Sequence, residues 1–406
     1  MISVQQARQF IHRYAHPLPP MLKSLPLASG LVLAREVKSP SDYPLYDVSA
    51  MDGYALKSSD VRKASLSGPI YLKLRGTQHA GDTLGMKIKP GECRKVMTGG
   101  VIPAGADAVL EREVVVEKDG MAVITQAMAK GRHIRYRGEG IKKGAAALKA
   151  GSILHSRAIG FLASLGVSKV WVRSVPQVAL IITGNELVTP GKKLKPGQIY
   201  NSNQWMLETA LRESGIQPHL VSNAPDRPAL LKNKIKNALS DCDVLLLVGG
   251  VSVGDSDFSK PILEALGVRR VFWRVSQKPG FPLYFGSKDK TLVFGLPGNP
   301  ASAWVNFYEY VMPCLRALRG LPIGPRTMKA TLTTDGPHRG FKTLFLKARF
   351  RKNGGLFQAD LLKGQGSHLL QSLAEGNCLA VVPSGKGRIK KGEKIEIHPL
   401  PTGKSS

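Results

Sequence analysis

Apolar and polar positions change rhythm several times along the chain, and the changes divide it. Over residues 3–13 apolar side chains recur at helical spacing and predict a short helix, after which prolines at 17, 19, 20, 26, 40 and 44 interrupt the chain. Between about 45 and 150 the pattern shifts to short β-type runs at 70–74, 106–116 and 121–125, separated by Gly, Pro and Lys-Asp-Gly turns. A small β-rich unit is expected there. Residues 156–165 are helical in pattern; Gly166 caps them, and 167–172 read as a strand.

From about 175 to 320 buried strands alternate with helix-length segments. The runs 178–182, 244–248 and 292–294 end in Thr183-Gly184, Gly249-Gly250 and Gly295-Leu296-Pro297-Gly298-Asn299-Pro300, and each is followed by a predicted helix, the last over 301–318. That alternation predicts a parallel α/β sheet, in which ligands bind at the carboxyl ends of the strands. All three glycine-rich turns fall on the edge where a site belongs. Beyond Gly320-Leu321-Pro322 the β pattern returns, with 343–350, 379–382 and 394–397 as its clearest strands.

Composition adds bounds. A chain of 406 residues suggests two to four domains of about 100–200 residues each. With 43% hydrophobic and 21% charged residues it can bury sizeable cores, which excludes a disordered polycation. The net charge of +29, from 58 basic and 29 acidic residues, is therefore a surface property that favours anionic ligands. Residues 323–406 alone carry 15 basic against 5 acidic residues. A specific nucleic-acid reader would interleave aromatics with those cations, yet aromatics are 6% of the chain and no recognition motif occurs. The start of the chain lacks a basic segment followed by an apolar one, and the apolar runs at 178–182 and 244–248 reach about a quarter of the roughly 20 residues that cross a bilayer. A soluble cytoplasmic protein is expected, without a membrane partner. Cys93, Cys242, Cys314 and Cys378 form no CxxC pair, so neither a zinc site nor a disulfide framework is indicated.

Several segments could carry chemistry. Asp47 and Asp52, the latter followed by Gly53, suit either a hard cation, which takes oxygen ligands, or an Asx turn with Gly53 supplying positive φ. Gly99-Gly100 after Thr98 admits an anion to backbone N–H groups or simply turns a β connection. The loop Gly249-Gly250-Val251-Ser252-Val253-Gly254-Asp255-Ser256-Asp257 ahead of a helix suits an anion. Asp255 or Asp257 fits there if a metal ion lies between carboxylate and phosphate, or Asp257 simply caps the helix. Lys278 in Lys278-Pro279-Gly280, with Arg274 four residues earlier, would add positive charge. No phosphate-binding GxxxxGK[ST], HExxH or GxSxG motif occurs.

In this order, the segments resemble the molybdopterin molybdenumtransferase family, the group of bacterial MoeA and the gephyrin E-domain. The matching residues are Ser49-Ala50-Met51-Asp52-Gly53-Tyr54-Ala55, Met97-Thr98-Gly99, Thr183-Gly184-Asn185-Glu186, and Gly197 and Ile199 with Asn201-Ser202-Asn203. The match continues through Gly249-Gly250-Val251-Ser252-Val253-Gly254, Lys278-Pro279-Gly280, Gly295-Leu296-Pro297-Gly298-Asn299-Pro300, and, more weakly, Gln365-Gly366-Ser367 with Gly376-Asn377.

The resemblance implies a multidomain α/β plus β fold: a central three-layer α/β domain with a parallel-type sheet (175–322), a β-rich inserted domain (45–140), a small discontinuous N-terminal region (1–44 and 141–174) and a C-terminal β-barrel (323–406). It implies a homodimer that uses Mg2+, takes adenylylated molybdopterin and molybdate, and yields molybdenum cofactor and AMP. Molybdopterin adenylyltransferase and recipient molybdoenzymes are its implied partners. Carried over by position, Glu186, Asp226 and Asp257 would hold the metal, with Asp52 and Lys278 completing the catalytic set. Thr98, Arg135, Gly249, Gly250, Ser252, Arg274, Pro297, Pro300, Arg349 and Ser367 would bind substrate. Asp52 and Thr98 would come from the opposing subunit. Two positions depart from the family pattern. Asn185 replaces a frequent Asp, and Gly140 in Arg135-Tyr136-Arg137-Gly138-Glu139-Gly140-Ile141 stands where an acid is usual. Losing that carboxylate motivates a second reading, a catalytically weakened paralogue that binds cofactor or acts as a scaffold, unless Glu139 substitutes.

Overall fold

The unbroken apolar runs of the α/β region form the centre of a six-stranded sheet. In the computed structural model, which describes residues 1–82, 87–251 and 258–401, the strand order is Leu220–Ala224, Val178–Thr183, Val244–Val248, Thr291–Leu296, Tyr284–Lys288, Arg269–Trp273. The first four are parallel. Successive residues point to opposite faces, which explains why these strands read as continuous hydrophobic runs. Leu180, Ile182, Leu246, Val248 and Phe294 pack on one side with the helices Val4–Tyr14 and Ser202–Glu213 and with residues 303–318. Ala179, Ile181, Leu245, Leu247 and Val293 pack on the other with Pro228–Asp241 and Ser259–Ala265. Burying each large side chain contributes about 1.5–3 kcal/mol, so three layers follow from strands that are apolar on both faces.

The sheet is mixed rather than wholly parallel. Tyr284–Lys288 runs antiparallel to both neighbours. Its link to Thr291–Leu296 is only residues 289 and 290, a length that joins antiparallel strands and cannot make a parallel crossover.

The helix expected over 301–318 has three parts: α-helical Pro300–Asn306, a π turn Phe307–Val311, and α-helical Met312–Leu318. Pro313 has no N–H to return to the Glu309 carbonyl, and the Met312 N–H bonds Phe307 instead, which widens the turn. At the other end of the chain, Ser3 and Gln6 form a reciprocal capping box that starts Val4–Tyr14.

The last β region closes on itself. Thr343–Asn353 pairs Leu356–Leu361, which pairs Met328–Leu332, then Lys394–Pro399, then Cys378–Val382, which pairs back to Thr343–Asn353. The 11-residue Thr343–Asn353 strand makes this possible by holding one neighbour along its first half and another along its second. Five strands thus enclose the Leu332, Leu346, Ala348, Ala380 and Ile397 core without a free edge.

By contact density the chain separates into Met1–Met21, Gly30–Val32 and Val172–Ser406 as one unit, and Leu22–Ser29 with Leu33–Trp171 as another. The second contains its own six-stranded sheet, ordered Ala108–Glu111, Gly53–Leu56, Glu92–Val96, Ile70–Gln78, Met121–Ile124, Val115–Lys118. The single run expected over 106–116 is corrected here: a turn at Arg112–Val114 breaks it, and its halves occupy opposite edges of the sheet. The physical cause is that 108–110 are fully buried whereas 112–114 are polar or exposed. Pairing of Val37–Lys38 with Ala146–Leu148 joins the segments that precede and follow the sheet.

All four cysteines are buried and free. Burial pushes the Cys93 and Cys242 thiols up to about 12, which keeps them protonated and inert. Among the described residues no helix is long and apolar enough to cross a membrane.

Candidate functional site

The carboxyl ends of Val178–Thr183, Val244–Val248 and Thr291–Leu296 open into a cleft of about 1190 Å³. The glycine-rich turns line it as the strand rule requires. Glu186, Asp226, Gly249, Gly250, Lys278, Pro297, Pro300 and Ser367 all lie on its wall. Eight of the sequence-derived site residues are therefore brought together from segments nearly two hundred positions apart.

The strand ends are stitched to one another by short side chains. Thr183 Oγ donates to Asp226, and the Asn185 N–H donates to the second Asp226 oxygen at 3.2 Å. Asp226 N–H returns a bond to Asn185 Oδ1 at 3.1 Å. The neutral amide of Asn185 accepts where a second carboxylate would repel Asp226, which accounts for that departure locally. Gly249 has φ +90°, and a Cβ there would sit 2.6 Å from the Thr183 carbonyl, so only glycine lets the two strand ends approach this closely.

Other predicted residues lie elsewhere. Asp52 accepts from the Thr98 N–H at 2.8 Å and from its hydroxyl at 2.7 Å, so these two residues meet in the β-rich unit. Those two bonds hold the Asp52 carboxyl below its ordinary range. Arg135 is exposed on Ile134–Arg135 of the same unit. Arg274 and Arg349 do not line the α/β cleft: Arg274, at φ +74°, lays its guanidinium 3.9 Å from the Trp273 ring centre, and Arg349 donates to the Glu375 carbonyl. Ser252 and Asp257 fall outside the described residues.

The acids suit a hard divalent cation. Mg2+ is commonly held by one or two carboxylates with water and substrate phosphate completing the shell. Glu186 and Asp226 supply two on one wall, although among the described residues no group of three or more metal-ligating side chains is assembled.

Sequence reasoning missed several wall residues. Asn203, buried on the first turn of Ser202–Glu213, donates to the Gly298 carbonyl at 2.7 Å and fixes that turn. Its place in Asn201-Ser202-Asn203 was an available signal. Lys342, whose ammonium lies 4.7 Å from the Phe281 ring centre, had no local motif, whereas His368 directly follows Gln365-Gly366-Ser367. Beneath the Gln365–Ser367 loop, Lys347 is 3% exposed and donates to the Gly366 and Leu369 carbonyls at 3.1 and 3.0 Å. Burial lowers its pKa.

Comparison with known proteins agrees with this architecture. Residues 2–166 match the MoeA N-terminal region (domain I and II), 179–317 a probable molybdopterin binding domain, and 329–400 the MoeA C-terminal region (domain IV). A molybdopterin molybdenumtransferase from Haemophilus influenzae is 31% identical over 98% of this chain and 99% of its own length. One from Nostoc is 33% identical over 92% of this chain and 87% of its own. Two crystal structures of a MoeA protein from Pyrococcus horikoshii, 29% identical, superpose with TM-scores of 0.84 and 0.81 and cover 99% and 98% of this chain and all of theirs.

Fold and relatives define a multidomain enzyme with a large cleft at the carboxyl edge of an α/β sheet. The chain belongs to the molybdopterin molybdenumtransferase family and works in molybdenum cofactor biosynthesis.

Proposed function

We propose that this enzyme inserts molybdate into adenylylated molybdopterin and releases AMP, in a Mg2+-dependent reaction. The observation that carries the reading is one cleft wall holding Glu186, Asp226 and Lys278 beside the Gly249-Gly250 and Pro297–Pro300 turns. Cleaving a phosphoanhydride concentrates negative charge on the leaving phosphate, so fixed positive charge and oriented donors stabilise the transition state. Lys278 contributes ammonium charge that binds the substrate phosphate, and the glycine turns let phosphate approach the backbone. Glu186, Asp226 and Asp257 hold Mg2+, which neutralises phosphate charge when bound. Pro297, Pro300 and Ser367 shape the wall, and Ser252 contributes to substrate binding, whereas Arg274 and Arg349, which lie off the cleft wall, are left out of the binding set.

We read the chain as four domains: 1–44 with 141–174, 45–140, 175–322 and 323–406. The functional form is a homodimer in which Asp52, Thr98 and Arg135 of the β-rich domain serve the partner subunit's cleft. Within that domain the Asp52–Thr98 bonds hold the carboxylate in its ionised form.

Purified protein supplied with adenylylated molybdopterin, molybdate and Mg2+ should release AMP and generate cofactor that activates an apo-molybdoenzyme. Absence of AMP release under those conditions rules the reading out.

A further inference from the structure

We infer that Gln277, Asn306 and Tyr310 are positioning residues for Lys278, forming a buried amide–phenol clamp behind the Lys278-Pro279-Gly280 turn. The inference rests on the role given to Lys278 under Proposed function.

Gln277–Lys278 is a two-residue strand paired in parallel with Thr343 and Leu344 at the start of the long barrel strand. Because adjacent side chains leave a strand on opposite sides, Gln277 is 0% exposed while Lys278 is exposed on the cleft wall. The turn that follows is short of its own donors, since Pro279 and Pro282 have no N–H. Its carbonyls are met by side chains instead. Gln277 Nε2 donates to the Pro279 and Gly280 carbonyls at 3.0 and 3.2 Å and to Asn306 Oδ1 at 2.8 Å. Asn306 Nδ2 donates to the Gly280 and Pro282 carbonyls at 3.1 and 3.4 Å. The Tyr310 hydroxyl donates to Gln277 Oε1.

These partners leave one consistent orientation for each amide. Rotating Asn306 by half a turn would face its NH2 with that of Gln277 and its oxygen with two carbonyls. Asn306 and Tyr310 are 0% and 1% exposed, so the clamp acts on the backbone that carries Lys278 and not on a ligand. The fit is close: Gly280 has φ +80°, and a Cβ there would lie 2.7 Å from Asn306 Oδ1. Asn306 closes the α-helical turn ahead of the π turn, and Tyr310 lies within the π turn. The irregular helix, whose Pro300 and Ser302 line the cleft directly, is thereby also tied by hydrogen bonds to the turn that carries Lys278. A flexible lysine gains from a fixed root, since an ammonium on a wandering turn spends little time where the phosphate needs it.

The test is a double-mutant cycle on KM for adenylylated molybdopterin. Asn306→Leu, which keeps the branching of the side chain with somewhat greater bulk and removes all three bonds, should raise KM about tenfold with kcat changed less than about twofold. In a Lys278→Ala background the same substitution should add less than about twofold. Equal effects of Asn306→Leu in both backgrounds, or no change in KM in the native background, would overturn the clamp. Should Lys278→Ala itself leave KM unaltered, the role of Lys278 fails first, and that result is read independently of Asn306. If Asn306→Leu does not fold, Tyr310→Phe, which removes one hydroxyl, carries the same cycle with an expected rise of about threefold.

Discussion

At the residue scale the chemistry depends on a few acids placed by backbone geometry in a chain where acids are the minority. Asp226 is aimed by Thr183 and Asn185, whereas both Glu186 oxygens lie 2.9 Å from where a Cβ on Gly184 would stand. If the pair holds the metal, Glu186→Gln and Asp226→Asn should each lower turnover roughly a hundredfold, the equivalent of about 3 kcal/mol in the transition state. AMP release titrated against Mg2+ should also show a higher half-saturating concentration. Gly140 is a second residue-scale case. Glu139 accepts the Tyr136 N–H at 2.8 Å and is tied into its own turn, and a Cβ at Gly140 would lie 3.1 Å from the Tyr43 carbonyl. Gly140→Asp should therefore change AMP release less than about threefold, since a gain in one carboxylate is offset by crowding. A gain of about a hundredfold would instead mark the natural chain as impaired. Glu186 and Lys278 were legible from their motifs, but Lys342, Lys347 and Asn306 were not. Lys342, Lys347 and Asn306 are brought to the cleft or its support by segments whose local spacing does not announce them, whereas His368 directly follows the Gln365-Gly366-Ser367 match.

At the element scale, the π turn places Glu309 where three parts of one unit meet. Glu309 is 1% exposed, forms an ion pair with Arg8 of the first helix, and lies 2.7 Å from His398 Nδ1 on the last barrel strand. His398 Nε2 in turn lies 2.9 Å from Glu396, and the Tyr310 phenol neighbours Glu309. Burial alone would disfavour the imidazolium, but the bonds to Glu309 and Glu396 outweigh it and raise the His398 pKa above 6.5. Because the folded-state value is the higher one, the stabilisation is complete below the ordinary imidazole range and is lost as pH rises through the raised value. Thermal unfolding across that window should show the loss, and His398→Gln should flatten it. Glu309→Ala leaves Arg8 and His398 without their shared acid and should cost about 3–5 kcal/mol in denaturant titration. The elements themselves were legible where one pattern decided them, as in the 178–182 and 244–248 strands. The 106–116 run was not, because burial at 108–110 and exposure at 112–114 are properties of the sheet and not of apolar content.

At the scale of the whole molecule, the net charge of +29 is spread far beyond the few cations a cleft can use. It raises the local concentration of anionic substrates without defining their class. The proposed sharing of sites between subunits makes a sharper claim. Asp52→Asn and Glu186→Gln should each lower activity roughly a hundredfold, yet their co-expression should restore about a quarter of the native activity, because half of the dimers would be mixed and each would have one intact site. Mixed dimers without activity would show that both residues serve the same subunit's cleft.

The sequence by itself determined the α/β strands, their glycine-rich turns and the acids beside them, because burial on both faces demands unbroken apolar runs and close backbone approach demands glycine. Those are local requirements, written within a few residues of one another. The tertiary structure alone decided the closure of the barrel around Thr343–Asn353, the reversed Tyr284–Lys288 strand, and the clamp of Gln277, Asn306 and Tyr310. Each depends on hydrogen bonds between residues that only the folded chain makes neighbours, and no spacing along the sequence encodes that meeting.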